Sequence, residues 1–336
     1  MKKQLCVILS VFLLMVTILA GCSSPEPDSP KGSEPAENNE SVSLGGSYTM
    51  ATAGTAGTFY PFGGALCQIV NEAIGTNITA NATGGGKENI ALLANEEVDF
   101  ALLDADLMSY ALTGTEMYEG NKIDTFGSIA SLFPQVLQIV VAEDSDIYSV
   151  TDLKGKRVSV GDAGSGTAVN AKQLFEVYGM TFDDMKVSYI SFKESAAAFQ
   201  DKSLDAFIGV AGIPTSAVTE TSLSRKIRLL SIDKEYMDML MKKYPFFAPI
   251  TVGKDVYSTE NDGETVAVNA TIAALKSVSE EVVYHFTKAM FEHQAELAEV
   301  HAKGKDLSIE TALDGIDAAY LHPGAAKYYR EIGILK

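Results

Sequence analysis

Two rhythms of apolar and polar positions alternate along the chain: short apolar runs of strand type, and longer stretches with apolar residues at helical spacing. A strand-like run, Tyr48 to Ala51, is followed by the glycine loop GTAGTFYP (54–61) and a helix pattern over 61–74 that Gly75 closes. The strand NITANAT (77–83), the triplet Gly84-Gly85-Gly86, the helix KENIALLANE and the strand VDFALL complete a first set. The same order then recurs: KRVSV as strand, GDAGSGT as glycine loop, AVNAKQLFEVYG as helix, KVSYIS as strand, KESAAAFQDKS as helix, LDAFIGV as strand. Landmarks keep step between the copies, Gly57 with Gly166, Gly75 with Gly179 and Asp99 with Asp205. This repeat predicts an α/β protein of two similar lobes, each a mainly parallel sheet covered by helices. In such lobes ligands collect at the carboxyl ends of the strands, where the glycine loops lie and the coming helices present bare N–H groups.

Between the copies, FGSIASLFPQVLQIVVAED (126–144) contains VLQIVVA, a strand-forming run suited to crossing from one lobe to the other. After the second copy come the strand IRLLSI, the helix YMDMLMKKY and TVAVNATIAALKSV, an extended run that can cross back, so the two crossings form a hinge. The remainder is helical. Ser279 caps a helix with Glu280 and Glu281 in its first turn, Val283, Phe286, Met290, Leu297 and Val300 on one face, and Gly304 past its end. His285, His293 and His301 drift around that helix and lack the spacing of a metal pair, and His322 fits a capping role.

The first residues are not part of the fold. Lys2 and Lys3 precede an apolar run that ends in Leu19-Ala20-Gly21-Cys22, so residues 1–21 read as an export signal and Cys22 as the lipidated first residue of a bacterial lipoprotein. The run is short for crossing about 30 Å of hydrocarbon as a permanent anchor. Residues 22–44, rich in Pro, Ser, Glu and Asn, form a disordered tether. Cys67 is then the one cysteine left in the globular part, and its apolar neighbours mark it as buried and not as a nucleophile. The formal net charge of −18 argues against nucleic acid and anionic membrane surfaces as partners. The protein is placed outside the cytoplasmic membrane, held by its lipid.

Enzyme signatures are missing where they would have to stand. In GDAGSGTA, Ala163 and Thr167 flank Ser165 where a nucleophile elbow needs glycines. In GGGKEN, Glu88 replaces the Ser or Thr of a phosphate loop, and Asn81 stands where its first glycine belongs. The glycines 161, 164 and 166 have the wrong spacing for a dinucleotide site, and the next strand ends in Ser191 instead of an acid. The expectation is a binding protein without catalytic residues, cofactor or metal.

The order GTAGTFYPFGGAL, ATGGGKENI, ALLDADL, IASLFPQVLQIVV, DLKGKRVSVGDAGSGTAVNA, VAGIPTSAV, YPFF and LSIETALDG through HPGAAKYY resembles the TAXI family of TRAP-transporter solute receptors, over nearly everything from residue 46 onward. The resemblance implies a type II periplasmic-binding-protein fold, with 46–141 and 266–336 as lobe 1 and 142–265 as lobe 2. It implies a monomer that captures a small carboxylate or amino acid, glutamate- or glutamine-like, and delivers it to a TRAP permease. A receptor for an ATP-driven importer is the alternative, and a sensing partner protein or enzyme on the same fold a further one.

Carried over motif by motif, the resemblance places ligand contacts at Gly54, Thr55, Gly57, Thr58 and Tyr60, at Thr83, Gly84, Gly85 and Asn89, and at Gly164, Ser165, Gly166, Thr167 and Gly212. None of the four arginines, Arg157, Arg225, Arg228 and Arg330, lies in a glycine loop. A ligand carboxylate would therefore rest on N–H groups and on Ser165 and Thr167, each charge-assisted bond contributing roughly 1.5–3 kcal/mol. The chain departs from the family at Gly86, Lys87 and Asp104-Ala105-Asp106. Lys87 is expected to be a solvated residue pairing with a carboxylate such as Asp104, while Asp104 or Asp106 could instead receive a ligand ammonium. Among the aromatics, Tyr60 is expected to touch ligand, ahead of Tyr189, Phe192 and Phe247.

Overall fold

The computed structural model describes residues 43–336; the expected export signal, Cys22 and nearly all of the expected tether lie outside the described residues. Strand β1 (Ser47–Ala51) runs through the first glycine loop into α1 (Phe59–Ile74), and β2 (Asn77–Asn81), α2 (Gly86–Ala94) and β3 (Phe100–Asp104) complete the first copy. Helix α3 (Ala105–Thr113) and the long β4 (Phe126–Ala142) lead to the second copy: β5 (Arg157–Ser159), α4 (Gly166–Val177), β6 (Lys186–Ser188), α5 (Phe192–Gln200) and β7 (Ala206–Ala211). Then come α6 (Ser216–Ser224), β8 (Ile227–Leu229), α7 (Lys234–Lys243), β9 (Ala248–Val252) and a second long strand, β10 (Gly263–Leu275). The chain closes with α8 (Glu280–Glu292), α9 (Gln294–Val300) and α10 (Pro323–Glu331).

The strands join in one 10-stranded sheet, ordered β2-β1-β3-β10-β4-β7-β5-β6, with β8 beside β4 and β9 beside β10. Within each copy the pairing is parallel, β1 with β2 and β3, and β5 with β6 and β7. The antiparallel partner of each trio is a crossing strand, β10 against β3 and β4 against β7. The repeat is thus realised as two trios, each finished by a strand arriving from the other side. Asp99 and Asp205 do the same job in both. Asp99 accepts the backbone N–H of Thr49 at 2.7 Å, and Asp205 accepts that of Arg157 at 2.8 Å, each fixing the first strand of its lobe.

Burial of both faces explains the apolar density of the crossing strands, since every residue of β4 is buried except the half-buried Pro134. The cores part within these strands. Phe133 belongs to the first core and Val136 to the second side; on β10 the division falls between Val268 and Ala270. Pro134, which has no N–H to give the ladder, stands opposite Asn269, and the register shifts between Asn269 and Thr271. The sheet is therefore weakest as a ladder where it passes from one core to the other.

Local signals act as the pattern predicts. The Ser279 Oγ accepts the N–H of Val282 at the start of α8, and His322 caps α10 through Nδ1 with Gly324 N–H at 3.2 Å. The expected single helix from Ser279 is instead two, because the chain leaves helical geometry at His293, and Val300 at the end of α9 is exposed. Cys67 is buried beside the Met50 Sδ, and burial pushes its thiol up to about 12. Among the described residues no helix is long and apolar enough to cross a membrane.

Candidate functional site

Four helix N-termini converge where the lobes meet: α1 after Thr58, α2 after Gly85, α4 after Ser165 and α5 after Ser191. They surround a cavity of about 210 Å³. Lobe 1 contributes the loop 53–59, Gly84 to Gly86, Asp104 and Gln135; lobe 2 contributes Asp162, Ser165 to Thr167, Ser191 to Lys193, Val210 and Ala211. Glycine is required at two places here. Gly85 has φ +112° and lies so close to lobe 2 that a Cβ would stand 3.3 Å from the Ser165 Cα, and Gly161, at φ +83°, turns the second loop beneath Ser165 and Thr167.

The lobes touch through named bonds. The Thr58 hydroxyl donates to the Gly212 carbonyl at 3.0 Å, the Glu88 N–H to the Gly164 carbonyl at 3.0 Å, and the Asn170 amide to the Asp106 carboxylate at 2.8 Å. These bonds also consume donors that a ligand carboxylate would have used. The Ser165 hydroxyl donates to the Asp162 carbonyl at 2.6 Å while accepting from Ala168, as a helix cap does. The Thr83 hydroxyl lies 2.6 Å from the Asn89 Oδ1 and 3.1 Å from the Thr52 carbonyl. Of the hydroxyls in the glycine loops, Thr167 accepts from Val210 N–H, and Thr55 is exposed at the rim.

Asp104 forms the floor. It ends β3 and precedes α3, is 3% exposed, and its Oδ1 accepts from the Gln135 amide at 2.5 Å. Its Oδ2 sits against the first residues of two helices: a Cβ on Gly166 would fall 2.0 Å from that oxygen, and one on Gly86 2.3 Å. Burial, and then the neighbouring Asp106 charge, push the Asp104 carboxyl up to about 7, against the pull of Gln135. Asp162 is also raised, by burial first and then by Glu194 and Glu88. Lys193 is the cation of the lining, exposed at the start of α5. Phe192 provides the aromatic wall; a Cβ at Gly57 would meet its ring at 3.4 Å and one at Gly209 at 3.5 Å.

Of the residues expected at the site, Gly54, Thr55, Gly57, Thr58, Gly84, Gly85, Asp104, Ser165, Gly166 and Thr167 line the cavity. Tyr60 faces a different groove with Pro61, Gly64 and Val300. Asn89 is fully buried and donates to the Thr52 and Leu102 carbonyls at 2.7 and 2.8 Å, which pins α2 to the sheet. Thr83 supports Asn89, Gly164 and Gly212 offer their carbonyls across the lobes, and Asp106 lies in the interface with Asn170. Lys87 is exposed and makes no ion pair among the described residues, and the partner of Asp104 is Gln135. Gln135, Phe192 and Lys193 were not expected as contacts, save Phe192 as a possible wall. The start of α5, with Ser191 and Glu194 as its capping pair, was the available signal.

A family model described as the NMT1-like family matches residues 50–333. Among solved structures, the periplasmic binding protein BugD is 13% identical, with 87% of this chain and 99% of that chain covered and a TM-score of 0.56. A protein of Bordetella bronchiseptica RB50 is 13% identical over 84% of this chain and 88% of that chain, with a TM-score of 0.50. A putative L-cystine ABC transporter protein from Listeria monocytogenes is 17% identical over 79% and 99%, with a TM-score of 0.49. At such identities the likeness speaks of fold, which is the type II periplasmic-binding-protein arrangement.

Proposed function

The chain belongs to the NMT1-like family, and on that footing we propose that it is an extracytoplasmic solute receptor, whose lobes close on a small amino acid or carboxylate and present it to a membrane importer without transforming it. The observation that carries this reading is the cavity itself: helix N-termini from both lobes enclose a space of about 210 Å³ at the carboxyl ends of the strands. β4 and β10 serve as the hinge, bending where Pro134 faces Asn269. Cys22 carries the lipid that keeps the receptor at the membrane.

The importer is a TRAP permease or an ATP-driven system. The TRAP class rests on the sequence resemblance alone, and membership of the NMT1-like family adds nothing that is particular to it. The ATP-driven class therefore stands at least level. Uptake into vesicles containing the cognate transporter separates them: dependence on an ion gradient supports the first, dependence on ATP the second.

Ligand capture is tested by native mass spectrometry of the purified chain, followed by a thermal-shift screen of amino acids and small acids. A ligand at a hundred times its Kd should stabilise the protein by about 2.7 kcal/mol. No co-purified solute together with no shift from any member of the screen would overturn the receptor reading.

A further inference from the structure

We propose that Asp104 selects ligands bearing a protonated amine, its Oδ2 receiving the ammonium N–H groups on the cavity floor between the N-terminal glycines of α2 and α4. The inference rests on the receptor reading above and narrows its ligand class.

The carboxylate is built to face inward. Its Oδ1 is held by Gln135 at 2.5 Å and the residue is 3% exposed, yet no other side chain donates to the carboxylate among the described residues, and Asp104 lines the cavity. A carboxylate oxygen enclosed in this way gains from a ligand group that donates to it. Gly86 and Gly166 make room for Oδ2, since a Cβ on either would enter the space that it occupies.

That seat is where two helix N-termini would hold a ligand carboxylate, and the protein has placed its own carboxylate there. An incoming anion would meet Asp104 head on, with Asp162 as a second acid in the lining and Asp106 behind. The hydroxyls of Thr58 and Ser165 are already spent on carbonyls. The cation of the lining, Lys193, stands exposed at the start of α5. A zwitterion fits this polarity, its ammonium on Asp104 and its carboxylate toward Lys193, whereas a dicarboxylate without an amine does not.

An ammonium on Oδ2 also favours the ionised carboxylate. Because burial and Asp106 hold the empty group near neutral pH, binding should release protons into solution. Asp106, Asp162, Glu88, Glu194 and Lys193 are the other charged groups around the cavity, and Asp104 is the acid set between the first residues of α2 and α4.

The test is calorimetry on the full detergent-solubilised chain with L-glutamate, L-glutamine and L-alanine against their amine-free frames glutarate, glutaramate and propionate, with 2-oxoglutarate as the keto counterpart of glutamate. At least one amine-bearing member should bind about tenfold or more tighter than its amine-free counterpart. Asp104→Asn should erase that preference, and wild-type binding near pH 7 should release protons when measured in buffers of different ionisation enthalpy. An amine-free acid binding as tightly as its amine partner, or binding without proton release, overturns the assignment to Asp104 and leaves the receptor reading intact. Failure of every probe, with no co-purified solute, removes both.

Discussion

Asp106 on α3 and Asn170 on α4 meet across the two lobes at 2.8 Å, both fully buried, and the Asn170 amide also donates to the Gln173 Oε1 at 3.0 Å. Tyr110, on the α3 side, extends the chain of contacts to Gln173 at 3.4 Å. This polar seam ties the lobes beside the cavity and not within it. Asn170→Ala would leave the buried Asp106 without its side-chain donor, so it should lower stability by about 1–3 kcal/mol. Urea unfolding measures the loss, and small-angle scattering of the ligand-free variant should give a larger radius than wild type; unchanged values in both would remove the seam from any part in closure.

Burial first holds Asp104 at about 7 and Asp106 at about 6, above the ordinary carboxylate value. The folded protein therefore keeps protons that the unfolded chain has lost, and the stability they confer disappears as pH rises from about 4 to about 7. His301 and His322, which burial holds below the usual imidazole value, act in the opposite sense below about 6.5. The informative quantity is thus the difference between wild type and Asp104→Asn. Wild type should lose stability relative to the variant between about pH 5 and about pH 8, and a constant gap would mean that Asp104 is already ionised at the lower pH.

Gly166→Ala places a methyl group 2.0 Å from the Asp104 Oδ2 and 2.6 Å from its Cγ. The backbone tolerates alanine there, because Gly166 begins α4 without a positive φ. The clash falls between the lobes, so ligand affinity should drop by about tenfold or more, and thermal stability should fall with it by about 1–3 kcal/mol as the overpacked floor shifts. Fluorescence titration and differential scanning calorimetry provide the two readouts, and unchanged affinity would place the ligand elsewhere.

Two aromatic substitutions separate the two walls. Phe192→Ala removes the ring that covers Gly57 and Gly209 and should weaken binding by about 1–2 kcal/mol, read as Kd by calorimetry. Tyr60→Phe, in the outer groove with Val300, should leave Kd unchanged. The reverse pattern would restore Tyr60 as the ligand's aromatic contact.

Much of the fold was legible because its determinants are local. The glycine loops, the burial of VLQIVVA and the step between Asp99 and Asp205 each announce themselves within a few residues, and in the structure they become the loops of the cavity, the crossing strand β4 and the matched anchors of β1 and β5. The site was less legible because closure brings together residues far apart in the chain. Gln135 reaches Asp104 from a crossing strand, and Phe192 reaches Gly57 from the other lobe. Asp104 and Asp106 read alike in sequence, yet the turn from β3 into α3 sends one to the cavity and the other into the seam. Asn89 carries the polar character of a contact residue, but its amide is needed to satisfy the Thr52 and Leu102 carbonyls.

Six glycines, Gly54, Gly57, Gly84, Gly85, Gly86 and Gly166, stand in the cavity wall. A peptide group cannot be exchanged by mutation, and side chains at 86 or 166 would invade the floor. Evolution of a new diet must therefore run through a handful of positions, Asp104, Gln135, Phe192 and Lys193 foremost. Gene duplicates of this protein should diverge at those four while their loops stay the same, so that lineages with different nutrients would look nearly identical everywhere but there.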